Sequence, residues 1–105
     1  MMSKSKKKDN VKLMDKQKQK VEPPKKFKVV FYNDDYTPME FVTEVLIQLF
    51  NRSSEDAIAI MLNVHNNGRG VAGVYSKEIA ETKAHMANQT AASYGHPLRA
   101  EFEPE

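Results

Sequence analysis

The sequence predicts a small α/β sandwich, in which three helices cover one face of a three-stranded antiparallel sheet in the order β-α-α-β-α-β. Three observations predict this fold. Side chains alternate with the period of a strand at residues 27–32 and again at residues 98–103. Helix start and stop signals frame three segments, which begin near Thr37, Ser53 and Ser76. A short apolar run at residues 70–75 supplies the remaining strand.

The beginning of the chain differs in composition from the rest. Residues 1–26 contain ten Lys or Arg and three acids, a net charge of +7, whereas residues 27–105 contain six and eleven, a net charge of −5. Because the first segment has few large apolar residues, it cannot offset the entropy cost of ordering it. We therefore expect a disordered lysine-rich tail over residues 1–24, ended by Pro23-Pro24, and a folded domain over residues 25–105.

The first strand is predicted over residues 27–32, where side chains alternate between two faces with a period of two. One face would carry Phe27, Val29 and Phe31, and the other Lys28, Val30 and Tyr32. The cluster Asn33-Asp34-Asp35 that follows is typical of a turn.

The first helix has the strongest local signal in the chain. Thr37 as N-cap, Pro38 at the first helical position and Glu40 two residues further form a capping box. Tyr36 and Phe41 have the spacing of a hydrophobic staple. The pattern predicts a helix over residues 38–50 whose buried face consists of Phe41, Val42, Val45, Leu46 and Leu49.

The second helix and the second strand are predicted from similar start and stop signals. Ser53 with Asp56 three residues later predicts a helix start, and Asn66-Asn67-Gly68 predicts its end. Residues 70–75 then form the predicted short strand.

The third helix is predicted to start after Ser76 as its cap and to stop at Gly95. Its apolar stripe is weak and consists of Ile79, Met86, Ala87 and Tyr94. The last strand is predicted where apolar residues alternate with charged ones: Leu98, Ala100 and Phe102 with Arg99, Glu101 and Glu103.

The composition excludes several classes of site. The chain of 105 residues contains no cysteine, which excludes disulfides, thiolate zinc sites and cysteine nucleophiles. No apolar run approaches the roughly 18 residues of a membrane span, and the start lacks the apolar core of a secretory signal. We expect a soluble, cytoplasmic protein without a membrane partner.

The first candidate site combines Asn33, Asp34 and Asp35 with His65. Two carboxylates, an amide and an imidazole could bind a metal or act as an acid and base pair. They could equally be a solvated turn and a histidine on a helix surface. A third interpretation is a site for a primary ammonium, because Asn, Asp and neutral His each offer an acceptor to its three donors.

The second candidate site is apolar. Met39 and Val42 share one face of the first helix, and Met61, Val64 and His65 share one face of the second. Ordinary core packing explains most such stripes. His65 nevertheless joins an apolar face to a polar group near the loop after the first strand, and convergence of that kind is the usual form of a ligand pocket.

Two charged segments have simpler interpretations. The lysine run of residues 6–20 could neutralise phosphates, but it lacks the aromatic residues and arginines of a nucleic-acid reader. A solvated tail is the better interpretation, so no nucleic-acid partner is expected. Glu78, Glu81 and Lys83 on the third helix are expected to form an exposed charged face.

Three motifs occur in order along the chain: NDDYTPMEFV at residues 33–42, Val64-His65-x-x-Gly68, and Glu78-x-Ala80-Glu81-x-Lys83. Together they resemble the ClpS adaptors of bacterial Clp proteases. The match runs in order from about Lys26 to Leu98. The resemblance implies a non-enzymatic adaptor, without cofactor or metal and expected to be a monomer. Such an adaptor binds N-terminal Leu, Phe, Tyr or Trp of substrate proteins and delivers them to the ClpA unfoldase of the ClpAP protease.

The resemblance also assigns roles to individual residues. The groups that hold the substrate's α-amine would be Asn33, Asp34 and His65. The pocket entrance would be framed by Asp35, Thr37 and Pro38. The pocket for the first side chain would be lined by Met39, Val42, Met61, Val64 and Leu98, with Met39 screening out β-branched residues. The surface that docks the N-terminal domain of ClpA would contain Tyr36, Glu78 and Lys83.

Overall fold

A computed structural model describes residues 23–105 of the chain. The predicted tail lies almost entirely outside these residues, so the domain boundary stays a prediction. The elements are β1 (Lys26–Tyr32), α1 (Met39–Phe50), α2 (Ser54–Asn67), β2 (Arg69–Ser76), α3 (Lys77–Ser93) and β3 (Arg99–Pro104). The predicted order β-α-α-β-α-β is confirmed. Within the described residues, no helix is long and apolar enough to cross a membrane.

The sheet has the strand order β2-β1-β3, with both pairings antiparallel. The central strand β1 buries Val29 and Phe31 in the core beneath the helices, as the alternation predicts. Val30, which belongs to the opposite set, is also fully buried. Its position in the central strand explains this, because Val71 and Glu101 flank it in the register on either side.

Strand β2 contains a bulge opposite the middle of β1. Val29 pairs with Gly73 but Val30 pairs with Val71, which leaves Ala72 as the additional residue. The Arg52 side chain donates a hydrogen bond of 2.9 Å to the Ala72 carbonyl. A β-carbon at Gly73 would collide with the Tyr75 ring. A larger residue at this position would therefore require the Tyr75 ring to move.

Helix α1 begins differently from the prediction. The N-cap is Pro38, in an extended conformation and without a side-chain capping bond, and the first helical residue is Met39. Thr37 lies one residue before the cap, and its hydroxyl donates to the Asp34 carboxylate at 2.8 Å. The predicted capping box is therefore wrong, although the predicted start differs from the observed one by a single residue.

Helix α2 begins and ends as the sequence predicts. The Ser53 hydroxyl accepts a hydrogen bond of 3.1 Å from the Asp56 amide. Gly68 ends the helix in the left-handed region with φ of 88°, and its amide donates to the Val64 carbonyl at 2.9 Å. A glycine adopts that conformation without steric cost.

Helix α3 packs through small residues, not through the predicted stripe. Its buried residues are Ala80, Ala84, Ala87 and Ala91. Ile79, Met86 and Tyr94 are exposed, so three of the four predicted stripe residues are wrong. Alanines allow α3 to lie close to the sheet, where it contacts all three strands. Ser76 occupies the N-cap position as predicted, but its side chain makes no capping bond.

Strand β3 is held at its outer edge by a side chain of α3. The Asn88 amide accepts from the Ala100 backbone N–H at 2.8 Å and donates to the Ala100 carbonyl at 2.9 Å. These two bonds replace those of a missing neighbouring strand. They attach the edge of the sheet to the helix that covers it.

Candidate functional site

The loop between β1 and α1 is organised by the Asp34 carboxylate. One carboxylate oxygen accepts hydrogen bonds from the backbone amides of Tyr36 and Thr37, at 2.8 and 2.7 Å, and the other accepts from the Thr37 hydroxyl. The loop is also attached to the end of α2, since the backbone N–H of Asn33 donates to the Gly68 carbonyl at 2.9 Å. Together these bonds define the path of the chain from the end of β1 to the start of α1.

The pKa of Asp34 lies below its ordinary value. Partial burial raises the pKa, but the hydrogen bonds from the two backbone amides and the Thr37 hydroxyl outweigh burial, and the nearby charge of His96 adds to them. The carboxylate is therefore ionised at neutral pH. A carboxylate has about four lone-pair positions, of which these bonds occupy three, so one acceptor position stays available.

A cavity of about 230 Å³ opens beside this loop. It is enclosed by the loop, the start of α1 and the last turns of α2, and is lined by Asn33, Asp34, Asp35, Thr37, Met39, Val42, Met61, Val64 and His65. Val42 and Val64 are buried, whereas Asn33, Asp35 and His65 are exposed. The arrangement therefore joins an apolar interior to polar groups with free acceptor positions.

The structure brings together nine of the predicted site residues and leaves others apart. Pro38 is the exposed N-cap of α1 and is not among the lining residues. Leu98 is buried in the hydrophobic core and does not line the cavity either. Pro38 lies between the lining residues Thr37 and Met39 in the chain, and Leu98 belongs to the same buried core cluster as Val42 and Val64.

The three residues assigned to docking differ in their surroundings. Tyr36 is 81% exposed, and Glu78 is exposed in the first turn of α3. Lys83 is partly buried, and its ammonium donates a 2.6 Å hydrogen bond to the Leu49 carbonyl near the end of α1. The same ammonium lies over the rings of Phe50 and Tyr75. Lys83 therefore connects α3 to α1 within the domain, in addition to any contact it makes with a partner protein.

Sequence reasoning missed an aromatic support beneath the loop. The Phe41 ring at the start of α1 lies 4.6 Å from the His96 ring and 5.4 Å from the Tyr94 ring, measured between centroids. His96 is also close enough to influence Asp34. More than fifty residues separate Phe41 from its partners, so no short sequence window contains a signal of this contact.

A larger depression of about 680 Å³ lies between α3 and β3. It is a groove along the edge of the sheet, and Asn88, one of its lining residues, already bonds to Ala100. Groups with free acceptor positions and an apolar floor meet in the smaller cavity, which is the usual form of a ligand site. We therefore take the smaller cavity as the candidate site. Within residues 23–105, no three His, Asp or Glu side chains are grouped to hold a metal ion.

Comparison with known proteins agrees with this description. The family model of the ATP-dependent Clp protease adaptor protein ClpS matches residues 22–101. An ATP-dependent Clp protease adapter protein ClpS from Desulfatibacillum aliphaticivorans is 55% identical over 87 residues, which cover 83% of this chain and 84% of that protein. One from Paraburkholderia phymatum is 48% identical over 97 residues, 92% of each chain.

A solved structure shows the same fold. The structure of Agrobacterium tumefaciens ClpS2 bound to L-phenylalaninamide matches with a TM-score of 0.77 and 43% identity, covering 79% of this chain and all of that one. The fold and the cavity define a small α/β binding domain. The chain belongs to the ClpS family, the adaptor proteins of the ATP-dependent Clp protease. The name of the family describes an adaptor and not a protease.

The Asp34 bonds predict a pH-dependent contribution to stability. A carboxylate with a lowered folded pKa stabilises the fold above its unfolded pKa of about 3.9, and this contribution is lost as pH falls through the folded value. Thr37→Val removes the hydroxyl donor and should cost about 1 kcal/mol at pH 7. The cost should disappear well below pH 3.9, where Asp34 is protonated.

The measurement is the urea unfolding of the unmodified chain and of Thr37→Val from pH 7 to well below about pH 3.9, together with an NMR titration of the Asp34 carboxyl in each. The midpoint of that titration should rise in Thr37→Val. Asp35→Asn is the matched control, because Asp35 is the exposed neighbour and its side chain forms no hydrogen bond within residues 23–105. An Asp34 titration unchanged by Thr37→Val would contradict the assigned cause.

Proposed function

We propose that the chain is an adaptor that binds proteins through a free N-terminal Leu, Phe, Tyr or Trp and delivers them to the ClpA unfoldase of the ClpAP protease. It acts as a monomer in the cytoplasm and uses no cofactor, metal or nucleic acid. The observation that carries the proposal is the cavity beside Asp34, where groups with free acceptor positions meet an apolar interior.

The polar rim fits a protonated α-amine. Asn33 and His65 are exposed, and the Asp34 carboxylate retains an acceptor position. His65 lies in the last turn of α2, where the negative end of the helix dipole favours a cation. An α-amine has a pKa of about 7.7–8.0 and is therefore mostly charged at neutral pH. Three acceptors match its three donors.

The apolar part fits one large side chain. Val42 and Val64 form a buried floor, and Met39 and Met61 line the cavity from the two helices. Thioether side chains are adaptable, so they can pack against either an aliphatic or an aromatic residue. In this proposal Met39 excludes β-branched side chains by its bulk.

The ligand of the Agrobacterium protein supports this assignment. L-phenylalaninamide has a free α-amine, a bulky apolar side chain and an amide in place of a carboxylate. It therefore reproduces the first residue of a polypeptide. The shared fold and 43% identity make the same class of ligand the natural proposal for this chain.

The expected affinity suits an adaptor that must release its cargo. Burial of one Leu or Phe side chain contributes roughly 1.5–3 kcal/mol, and a hydrogen bond to a charged group about the same. Association costs about 4–15 kcal/mol. These gains are small beside the association cost, so binding as tight as picomolar is not expected.

The cavity should require a free amine. An acetylated N-terminus cannot donate to Asn33, Asp34 and His65 together, and an unpaired polar group costs about 1–3 kcal/mol. A Leu-initiated peptide should therefore bind at least tenfold more tightly than its acetylated form in a fluorescence polarisation titration. Equal affinities would refute the assignment, and a Gly-initiated peptide with a free amine tests the side-chain pocket separately.

Met39→Ala should relax selectivity without abolishing binding. If Met39 excludes branched side chains sterically, its truncation makes room for Ile and Val, while Leu and Phe lose some contact. Peptides that differ only in their first residue should show Ile and Val affinities increased about tenfold and Leu and Phe affinities reduced by less than that. Loss of Leu and Phe binding without any gain for Ile or Val would show that Met39 only supports the wall.

Docking of the unfoldase is proposed to use a second surface, which includes Tyr36 and Glu78. Neither residue lines the cavity. Glu78→Lys should weaken binding of the unfoldase N-terminal domain by about tenfold, since opposed like charges are strongly unfavourable at an interface. Peptide affinity should not change. Lys83 is less suitable for this test, because its removal also breaks the bond to Leu49.

Glu55→Lys is the matched control for this prediction. Glu55 is also an exposed acid in the first turn of a helix, so the reversal changes net charge and helix-dipole energy equally. Both affinities of that variant should equal those of the unmodified chain. A Glu78→Lys protein that lost peptide binding as strongly as unfoldase binding would contradict separate surfaces.

A further inference from the structure

Met39 and Met61 place two oxidisable sulfur-containing side chains on the wall of the cavity. Met39 is 41% exposed, whereas Met61 is partly buried. Residues 23–105 contain one other methionine, Met86, which is 42% exposed on α3 and does not line the cavity. The chain therefore contains a pair of equally exposed methionines, one at the candidate site and one outside it.

We propose that Met39 is a modification site for hydroperoxides, and that its sulfoxide reversibly closes the cavity to apolar N-terminal residues. The proposal rests on the function proposed above for the same cavity. It adds a regulatory input, since the oxidation state of one side chain then decides whether the adaptor accepts cargo.

The chemistry is a two-electron oxygen transfer. A lone pair of the thioether sulfur attacks one oxygen of the hydroperoxide, a sulfur–oxygen bond forms and the oxygen–oxygen bond breaks. With hydrogen peroxide the oxygen that binds to sulfur loses its proton to the displaced hydroxide, which leaves as water. The sulfur is oxidised and the peroxide is reduced. Methionine sulfoxide reductases restore the thioether with two electrons and two protons from a thiol reductant, and the oxygen leaves as water.

The surroundings of Met39 explain why its sulfoxide would oppose binding. Oxidation converts a flexible apolar side chain into a polar one with a strong acceptor oxygen. The rim contains the acceptor groups Asp34 and Asp35, and the Thr37 hydroxyl already donates to Asp34. The remaining donors are the Asn33 side-chain amide and the His65 ring, which the proposed complex places against the substrate's α-amine. A side chain bound in the apolar part would then bury the sulfoxide oxygen without a partner.

A bound N-terminal residue should in turn protect Met39. The side chain that fills the cavity would cover the Met39 sulfur, whereas Met86 lies outside the cavity and stays equally accessible. Met39 is therefore resistant to oxidation when the cavity is occupied and sensitive when it is empty.

The experiment treats the full chain with a limited dose of hydrogen peroxide and follows each methionine by peptide-mapping mass spectrometry. Met39 and Met86 should oxidise at similar rates and Met61 more slowly. A saturating Leu-initiated peptide should slow oxidation of Met39, and of Met61 in the same cavity, but not of Met86. Fluorescence polarisation should then show the affinity for that peptide reduced by about tenfold or more in the Met39 sulfoxide form. Treatment with methionine sulfoxide reductases should restore it.

Two variants separate Met39 from general oxidation damage, each compared with its own untreated sample. Met86→Leu should lose affinity on oxidation as the unmodified chain does. Met39→Leu should keep whatever affinity it has before treatment, because leucine has a similar volume and cannot be oxidised.

Three results would overturn the inference: Met39 stays reduced while Met86 oxidises, the Met39 sulfoxide form binds the peptide as tightly as the untreated form, or Met39→Leu loses affinity to the same extent. Failure of the proposed function is recognised separately. In that case the untreated chain does not bind the Leu-initiated peptide at all, and the rates of Met39 and Met86 oxidation still test the modification site.

Discussion

The Asp34 carboxylate is the interaction on which the site depends. Its bonds to the Tyr36 and Thr37 amides and to the Thr37 hydroxyl define the path of the loop between β1 and α1. That path sets where Met39 and Val42 stand relative to α2, and therefore the shape of the cavity. The same bonds keep Asp34 ionised, so one group supports both the geometry and the charge of the site.

Close packing of α3 against the sheet stabilises the scaffold that carries this loop and cavity. The alanine face of α3 lies directly on the sheet, and two polar side chains connect the helix to its neighbours. Asn88 bonds to the edge strand at Ala100, and Lys83 bonds to the Leu49 carbonyl of α1. Because small residues take the buried positions, the large apolar residues of α3 remain on the surface.

The two proposed functional surfaces differ in what they demand of the fold. The cavity needs residues from the loop, α1 and α2 held at fixed distances, because the α-amine and the first side chain of a substrate have to bind at the same time. The docking surface needs only exposed groups such as Tyr36 and Glu78 on rigid elements. Lys83 contributes an internal bond, which makes it part of the scaffold under that surface.

Local chemistry in the sequence was enough to predict the element order, the Ser53 cap, the Gly68 stop and the family motifs, because each depends on residues a few positions apart. It failed where distant residues compete. Thr37 bonds to Asp34 instead of capping α1, Val30 is buried by its flanking strands, and the large apolar residues predicted to be buried on α3 are exposed. Periodicity reports which face is apolar, but only tertiary packing decides which face is covered, by what, and at what distance.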